Sequence, residues 1–285
     1  MAQVQVIRGK ERRVCPLCEG QGFLLRPGGN MGRRTLVEVF SCIEEACVCD
    51  KKPPYLFHDE ERHVLTECPC RKVRSKIDKI HRLFYTSRIP KIYQYRRLLE
   101  FNLESPDQVS SKNLAIALDE SRHFLENFGS ADRTGMKGLY FYGPPGTGKT
   151  MLACLILNEL ILQRQVEVEY IKITRDFFNS IRASFNVESS TYGKGDDIFK
   201  RLAGRQTLVI DDFGVQADSE WEKRTLYDLV DARYENQSPT IITSNQSPDE
   251  WKSLFQGRIY SRLMEMTDFI GMVAPDYRSN YLHEM

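Results

Sequence analysis

The chain has 285 residues, 41% of them hydrophobic and 28% charged, with 40 basic against 39 acidic side chains. That balance fits a globular protein of one large or two ordinary domains and excludes an overall polycation, so any nucleic-acid contact must come from local clusters of charge. The opening residues lack a signal-peptide pattern, and the longest apolar stretch, 151–162, is short and interrupted by Asn158 and Glu159, so a cytoplasmic protein with no membrane partner is expected.

Residues 1–70 are rich in cysteine, glycine and proline and have no sustained helical period. Seven of the eight cysteines lie between Cys15 and Cys70, and in a cytoplasmic chain such clustering points to metal before disulfide. Cys15 and Cys18 have the spacing of a metal knuckle, followed by Gly20 and Gly22; Cys68 and Cys70 offer a second pair. Together these four predict a tetrahedral zinc site, with the intervening 49 residues looping out. Cys42, Cys47, Cys49, His58 and His63 lie in or beside that insert and make a second set, or supply a replacement for one of the named ligands. Zinc here is expected to be structural, because so small and glycine-rich a region can hardly build its own core.

Residues 71–110 read as a basic helical linker. Between 71 and 97, Arg71, Lys72, Arg74, Lys76, Lys79, Arg82, Arg88, Lys91, Arg96 and Arg97 face only Asp78, with Phe84, Tyr85, Tyr93 and Tyr95 interleaved. That mixture suits a single-stranded nucleic acid, with phosphates on the cations and bases on the rings. It suits equally a solvated helix whose aromatics pack on the next domain.

From residue 111 to 285 helix-like and strand-like patterns alternate. Helices are expected over 113–128, 149–165, 176–185 and 196–202 and from a Ser219 cap through Tyr234; strands are expected over 138–142, 166–173, 207–211, 240–243 and 268–273. Strands alternating with helices imply a parallel sheet covered on both faces, an α/β domain.

Within it, Gly143, Pro144, Pro145, Gly146, Thr147, Gly148, Lys149 and Thr150 join an apolar strand to an apolar helix that starts at Met151. A strand, a glycine-rich turn and a helix N-terminus form a phosphate cradle: backbone N–H groups converge on the polyphosphate of ATP, Lys149 reaches its β- and γ-phosphates, and the Thr150 hydroxyl sits on Mg²⁺. The strand ending Leu208-Val-Ile-Asp-Asp has the layout of a Walker B element. Asp211 would hold the Mg²⁺ shell with Thr150, and Asp212 would orient or deprotonate the attacking water, with a shorter side chain than the usual glutamate. Asn245 closes the next strand, where an amide can position water and report on the γ-phosphate. Arg258 and Arg262 stand four apart on one helix face, and Arg278 follows the last apolar strand. A further nucleic-acid candidate is the segment with Phe177, Phe178, Arg182 and Phe185 and the loop 189–195, although core packing is the expected role of at least two of those phenylalanines.

The ordered series GPPGTGKT, LVIDDFG, TSN, SRL and DYRS resembles the AAA+ ATPases of the DnaC/DnaI/IstB group over roughly residues 85–280. The resemblance implies an AAA+ P-loop fold with a five-stranded parallel sheet, and self-association head to tail, each subunit lending an arginine to its neighbour's ATP. Arg262 matches the arginine-finger position, Arg258 the accompanying arginine and Arg278 a sensor arginine. Where the group often carries a second arginine two residues after the last of these, this chain has Asn280. The function implied is loading of a replicative hexameric helicase of the DnaB type onto single-stranded DNA. The alternatives are a transposition ATPase of the IstB kind, and a zinc adaptor that uses ATP only as a binding switch.

Overall fold

The computed structural model describes residues 4–7, 10–13, 23–28, 33–38, 47–105, 107–129, 136–214 and 219–277. Two compact units divide the chain, Met1–Arg82 and Leu83–Met285.

The first unit is built of hairpins. β1 (Val4–Ile7) pairs antiparallel with β2 (Lys10–Arg13), β3 (Phe23–Gly28) with β4 (Arg33–Glu38), and β5 (Leu56–Asp59) with β6 (Val64–Glu67). Its described apolar interior is small: Phe23, Tyr55, Ile77 and Ile80 are buried, together with Cys68 and Cys70. Phe23 carries the Lys76 ammonium over its ring, and the Tyr55 hydroxyl donates to Asp78.

Helix α1 (Arg71–Thr86) begins in this unit and ends in the next. Ile77, Ile80, Leu83, Phe84 and Ser87 recur every three or four residues and are buried, a stripe that the density of positive charge hides.

The second unit holds a five-stranded, all-parallel sheet. Its strands are β7 (Gly138–Tyr142), β8 (Val168–Lys172), β9 (Thr207–Asp211), β10 (Thr240–Ser244) and β11 (Thr267–Gly271), in the order β11-β7-β10-β9-β8. β9 and β10 are buried along their whole length, as strands covered on both faces must be. The helices are α2 (Gln108–Asn127), α3 (Lys149–Glu159, continued by a π turn to Arg164), α4 (Asn179–Ala183, entered through a π turn from Ile173), α5 (Gly195–Ala203), α6 (Glu220–Glu235) and α7 (Arg258–Met266). Ser219 and Glu222 close a reciprocal capping box at the start of α6. Arg233, wholly buried, donates to Leu202 O, Pro239 O and the Thr240 hydroxyl, so one guanidinium ties α5, α6 and β10 together. Burial pulls that guanidinium down to about 9.

The edge strand β8 is closed by the chain that follows α1: Tyr170 N–H donates to Ser87 O at 2.8 Å. Beyond it, Asn158 on α3 donates to the carbonyls of Tyr93 (2.6 Å) and Arg96 (2.8 Å), and Glu159 accepts from Leu98 N–H (2.9 Å) and Arg97 Nε (2.7 Å). Residues 88–102 are thus fastened to the helix that carries the P-loop.

Candidate nucleotide site and cysteine cluster

The turn 143–148 leaves β7 and enters α3 with three glycines at positive φ. A side chain at Gly146 (φ +80°) would collide with Asp276, and one at Gly148 (φ +92°) would come within 3.1 Å of the Phe101 ring, so both need glycine. Lys149 is nearly buried; its ammonium donates to Gly143 O (2.8 Å) and Pro144 O (2.6 Å). The Thr150 hydroxyl donates to Asp211 Oδ1 at 2.7 Å. The sequence expectation that Thr150 and Asp211 work as one cation-holding pair therefore has a geometry: hydroxyl and carboxylate face each other across the start of α3 and the end of β9.

Asp211 is fully buried and receives two further hydroxyls, Thr243 on Oδ1 (2.5 Å) and Tyr170 on Oδ2 (2.6 Å). Asp212 leaves the strand in the left-handed region (φ +58°), which turns its carboxylate into the cleft, where Lys172 Nζ lies 2.8 Å from Oδ2. That hydrogen bond pushes the Lys172 ammonium up against the opposing effect of partial burial. Burial and the neighbouring Asp211 push the Tyr170 phenol up. Asn245 is exposed at the end of β10 and lines the same cleft.

The cleft measures about 1020 Å³, room for a nucleotide triphosphate. Its walls are the P-loop residues Pro145–Met151, Asp212 and Asn245, and also a set that the sequence reading placed elsewhere: Arg88, Tyr93, Arg96, Phe101 and Asn102. Part of the basic connector is thus nucleotide-cleft wall. Of its aromatics, Phe84 is buried against Tyr95 (ring centroids 4.1 Å apart) and Tyr93 lines the cleft, whereas Tyr85 is exposed.

Arg258 and Arg262 sit on α7, and neither lines this cleft. Arg258 is exposed. Arg262 pairs with Asp231 and lies over the rings of Tyr227 (5.0 Å) and Tyr234 (5.6 Å). Arg278 and Asn280 lie outside the described residues. In the second nucleic-acid candidate, Phe177 and Phe178 are core residues, and Arg182 is taken by Glu222 and the Trp221 ring; Phe185 and Tyr192 remain exposed.

In the first unit, four sulfurs converge: Cys47, Cys49, Cys68 and Cys70, all within 4.8 Å of one another. Cys47 and Cys49 sulfurs are 3.8 Å apart, and each is 3.6 Å from Cys70 Sγ. A tetrahedron with zinc–sulfur bonds of about 2.3 Å has edges of about 3.8 Å, so this donor set fits a zinc ion. Burial raises the Cys68 thiol, but the backbone N–H groups of Cys70 and Val48 and the Cys70 thiol outweigh it and pull it to about 6. The set differs from the expected grouping. Cys68 and Cys70 converge with Cys47 and Cys49, two of the residues weighed as a second set or as replacements for a named ligand; Cys15, Cys18 and Cys42 lie outside the described residues. His58 and His63 face each other on the β5–β6 hairpin (ring centroids 6.5 Å apart) and are not in the cluster. The hairpin brings Cys68 back beside Cys47, a closure that spacing alone does not reveal.

Tyr170, Lys172 and Thr243 escaped the sequence reading as partners of the carboxylates. Lys172 is in register with Asp211 across β8 and β9, so both point to one face, and only the register exposes that relation.

Comparison with known proteins places these features in a family. Residues 115–268 match the family described as IstB-like ATP binding protein. The chain is 29% identical over 185 residues to the replicative helicase loader DnaC of Escherichia coli K12, covering 65% of this chain and 69% of that protein. It is 26% identical over 226 residues to the DnaC of Buchnera aphidicola subsp. Baizongia pistaciae, covering 76% and 85%. Among solved structures, a DnaC helicase loader superposes with a TM-score of 0.53 at 25% identity over 65% of this chain and 100% of that one. An AMPPCP-bound DnaA from Aquifex aeolicus shares the fold, with a TM-score of 0.51 at 19% identity over 70% and 56% of the two chains. No helix among the described residues is long and apolar enough to cross a membrane.

Proposed function

The chain belongs to the family of IstB-like ATP-binding proteins of the AAA+ P-loop fold, and from that premise we propose that it is an ATP-dependent loader of a replicative hexameric helicase of the DnaB type onto single-stranded DNA. One observation carries the reading: over the ATPase unit the chain is similar to replicative helicase loaders of two organisms.

The residues fit Mg·ATP. The half-buried Thr150 hydroxyl and the buried Asp211 carboxylate would hold the cation, which when bound neutralises charge on the β- and γ-phosphates. Lys149 would turn from its own loop carbonyls to the phosphates. Asp212 would accept the proton of the attacking water, and Asn245 would orient that water. Residues 88–102 would enclose the base and ribose. Arg258 and Arg262 lie off this cleft and would act on a neighbour's ATP in a head-to-tail assembly.

Single-stranded DNA would run over the segment after α4. Phe185 (69% exposed) and Tyr192 (54% exposed) offer ring surface for stacking, with Lys194 two residues after Tyr192 in the chain. Replacing Phe185 by alanine is expected to weaken binding of a fluorescent oligothymidine by roughly 5- to 150-fold, the equivalent of about 1–3 kcal/mol per lost stack. Unchanged anisotropy titrations would remove this surface from the DNA path.

The loader reading is tested by mixing the full-length chain with the replicative helicase of its host and separating complexes by size. A stable complex is expected, formed also by Lys149→Ala, which is expected to stay on the helicase after ATP is added while the natural chain leaves it. No complex with or without nucleotide would overturn the reading. The match to the IstB-like family keeps one second reading in view, a transposition ATPase; preference for duplex over single-stranded DNA would select it.

A further inference from the structure

Strand β8 delivers to the Walker B carboxylates a cation that belongs to neither the P-loop nor the arginine pair. Lys172 ends that strand in register with Asp211. Its ammonium lies 2.8 Å from Asp212 Oδ2 and 3.7 Å from Asp211 Oδ2, and its side chain lines the cleft with Lys149, Thr150 and Asp212. The other groups on Asp211 are neutral: the hydroxyls of Thr150, Thr243 and Tyr170. Arg175, the next cation along the chain and also on the cleft wall, is turned to Asp176 (2.9 Å). Lys172 thus places one flexible cationic side chain in direct ion-pair contact with both Asp211 and Asp212.

A divalent cation held by Thr150 and Asp211 draws on that same negative field, and two cations a few ångströms apart repel each other. We propose that Lys172 is a positioning residue that sets the Mg²⁺ requirement of the nucleotide site, because its ammonium competes with the divalent ion for the Asp211–Asp212 pair. The proposal rests on the nucleotide-site reading above. Lys172 has a four-carbon stem and its side chain is 39% exposed, so it can yield the carboxylates without moving the strand. The same exposure screens the repulsion, which keeps the effect to a modest factor. Once displaced, the ammonium remains in the cleft, where the triphosphate is the nearest large negative charge. Removing Lys172 therefore has opposite consequences with and without the metal.

The test is binding of a fluorescent ATP analogue to the full-length chain, titrated with Mg²⁺ at fixed nucleotide and repeated in EDTA. Lys172→Met is expected to lower the half-saturating Mg²⁺ concentration about three- to tenfold, as expected for one partly screened neighbouring charge, and to weaken binding in EDTA. Lys172→Arg, which keeps the charge, is expected to stay within about twofold of the natural chain in both. Opposite shifts of this kind are not produced by a loosened strand, which would weaken both measurements together. Lys172→Gln serves if the methionine variant does not fold. A half-saturating Mg²⁺ concentration that is unchanged or higher in the neutral variants overturns the proposal and leaves the nucleotide site standing. Failure of the natural chain to bind the analogue in either condition overturns the nucleotide-site reading, and this proposal with it.

Discussion

Arg262→Ala is expected to reduce ATP turnover of the assembled protein about 10³-fold, the lower end of what an arginine supplied to a neighbour's phosphates contributes. The loss should fall on turnover and spare nucleotide affinity, because Arg262 does not line the cleft of its own subunit. A direct check is to mix two dead variants. Lys149→Ala lacks the cation that grips the phosphates but keeps Arg262; Arg262→Ala keeps the phosphate cradle but lacks the arginine. In a head-to-tail assembly an interface with a sound cradle on one side and a sound arginine on the other is rebuilt at random, so an equal mixture should regain about a quarter of natural turnover. Activity no greater than the sum of the separate variants, at concentrations where the natural chain is assembled, would place hydrolysis within one subunit.

The structure adds a condition. Arg262 is held by Asp231 and by the faces of Tyr227 and Tyr234, whereas Arg258, one turn earlier, is exposed. Reaching a neighbour's phosphate requires Arg262 to exchange one carboxylate for another anion, and the rings can guide the guanidinium while it does so. Arg258 has no ion-pair partner among the described residues to exchange. The pair thus divides into a guided residue and an exposed one, a distinction invisible in Gly257-Arg-Ile-Tyr-Ser-Arg-Leu263, where both stand on one face of the helix.

Much of the ATPase unit was legible for a simple reason. β7 and β9 are apolar runs with a turn or a carboxylate at the end, and their limits, Gly138–Tyr142 and Thr207–Asp211, are those read from the pattern. The strand expected over 166–173 shortens to Val168–Lys172 because Gln165 takes a positive φ to end the preceding helix, and Ile173 opens a π turn rather than continuing the strand. Nothing local marks a π turn; the carboxylate of Asp176 accepting Lys172 N–H helps to set it.

The connector was only half legible, for a different reason. Asn158 and Glu159 read as blemishes in an apolar helix, yet both are buried and hold the backbone of residues 93–98. A polar side chain in a buried stripe has to find partners, and the partners here lie more than 60 residues away in the chain. Charge density at 71–97 described what is exposed and concealed the periodic burial of Ile77, Ile80 and Phe84. The cysteines show the same limit of local reading: the x₂ spacing of Cys15 and Cys18 is a local signal and lies outside the described residues, whereas the set that converges is joined by a hairpin.

That set yields the other large effect. Metal analysis of the full-length chain is expected to find about one zinc bound by Cys47, Cys49, Cys68 and Cys70, and removing it is expected to unfold the surrounding region. The described apolar interior there is a handful of side chains, too few to offset the entropy of ordering hairpins and turns. Zinc bound to such a site contributes on the order of 10 kcal/mol, comparable to the whole stability of an ordinary domain. Without the ion, four sulfurs at 3.6–3.8 Å contacts gain little from one another, and each further thiolate repels the rest. With it, the helix N-terminus at Arg71 and the N–H groups of Val48 and Cys70 already favour negative sulfur at Cys68. Cys70→Ser is therefore expected to lose the zinc and to unfold the surrounding region, while nucleotide binding by the ATPase unit persists. Cys15→Ser separates the two groupings: retention of about one zinc supports the converged quartet, and its loss would return Cys15 and Cys18 to the site.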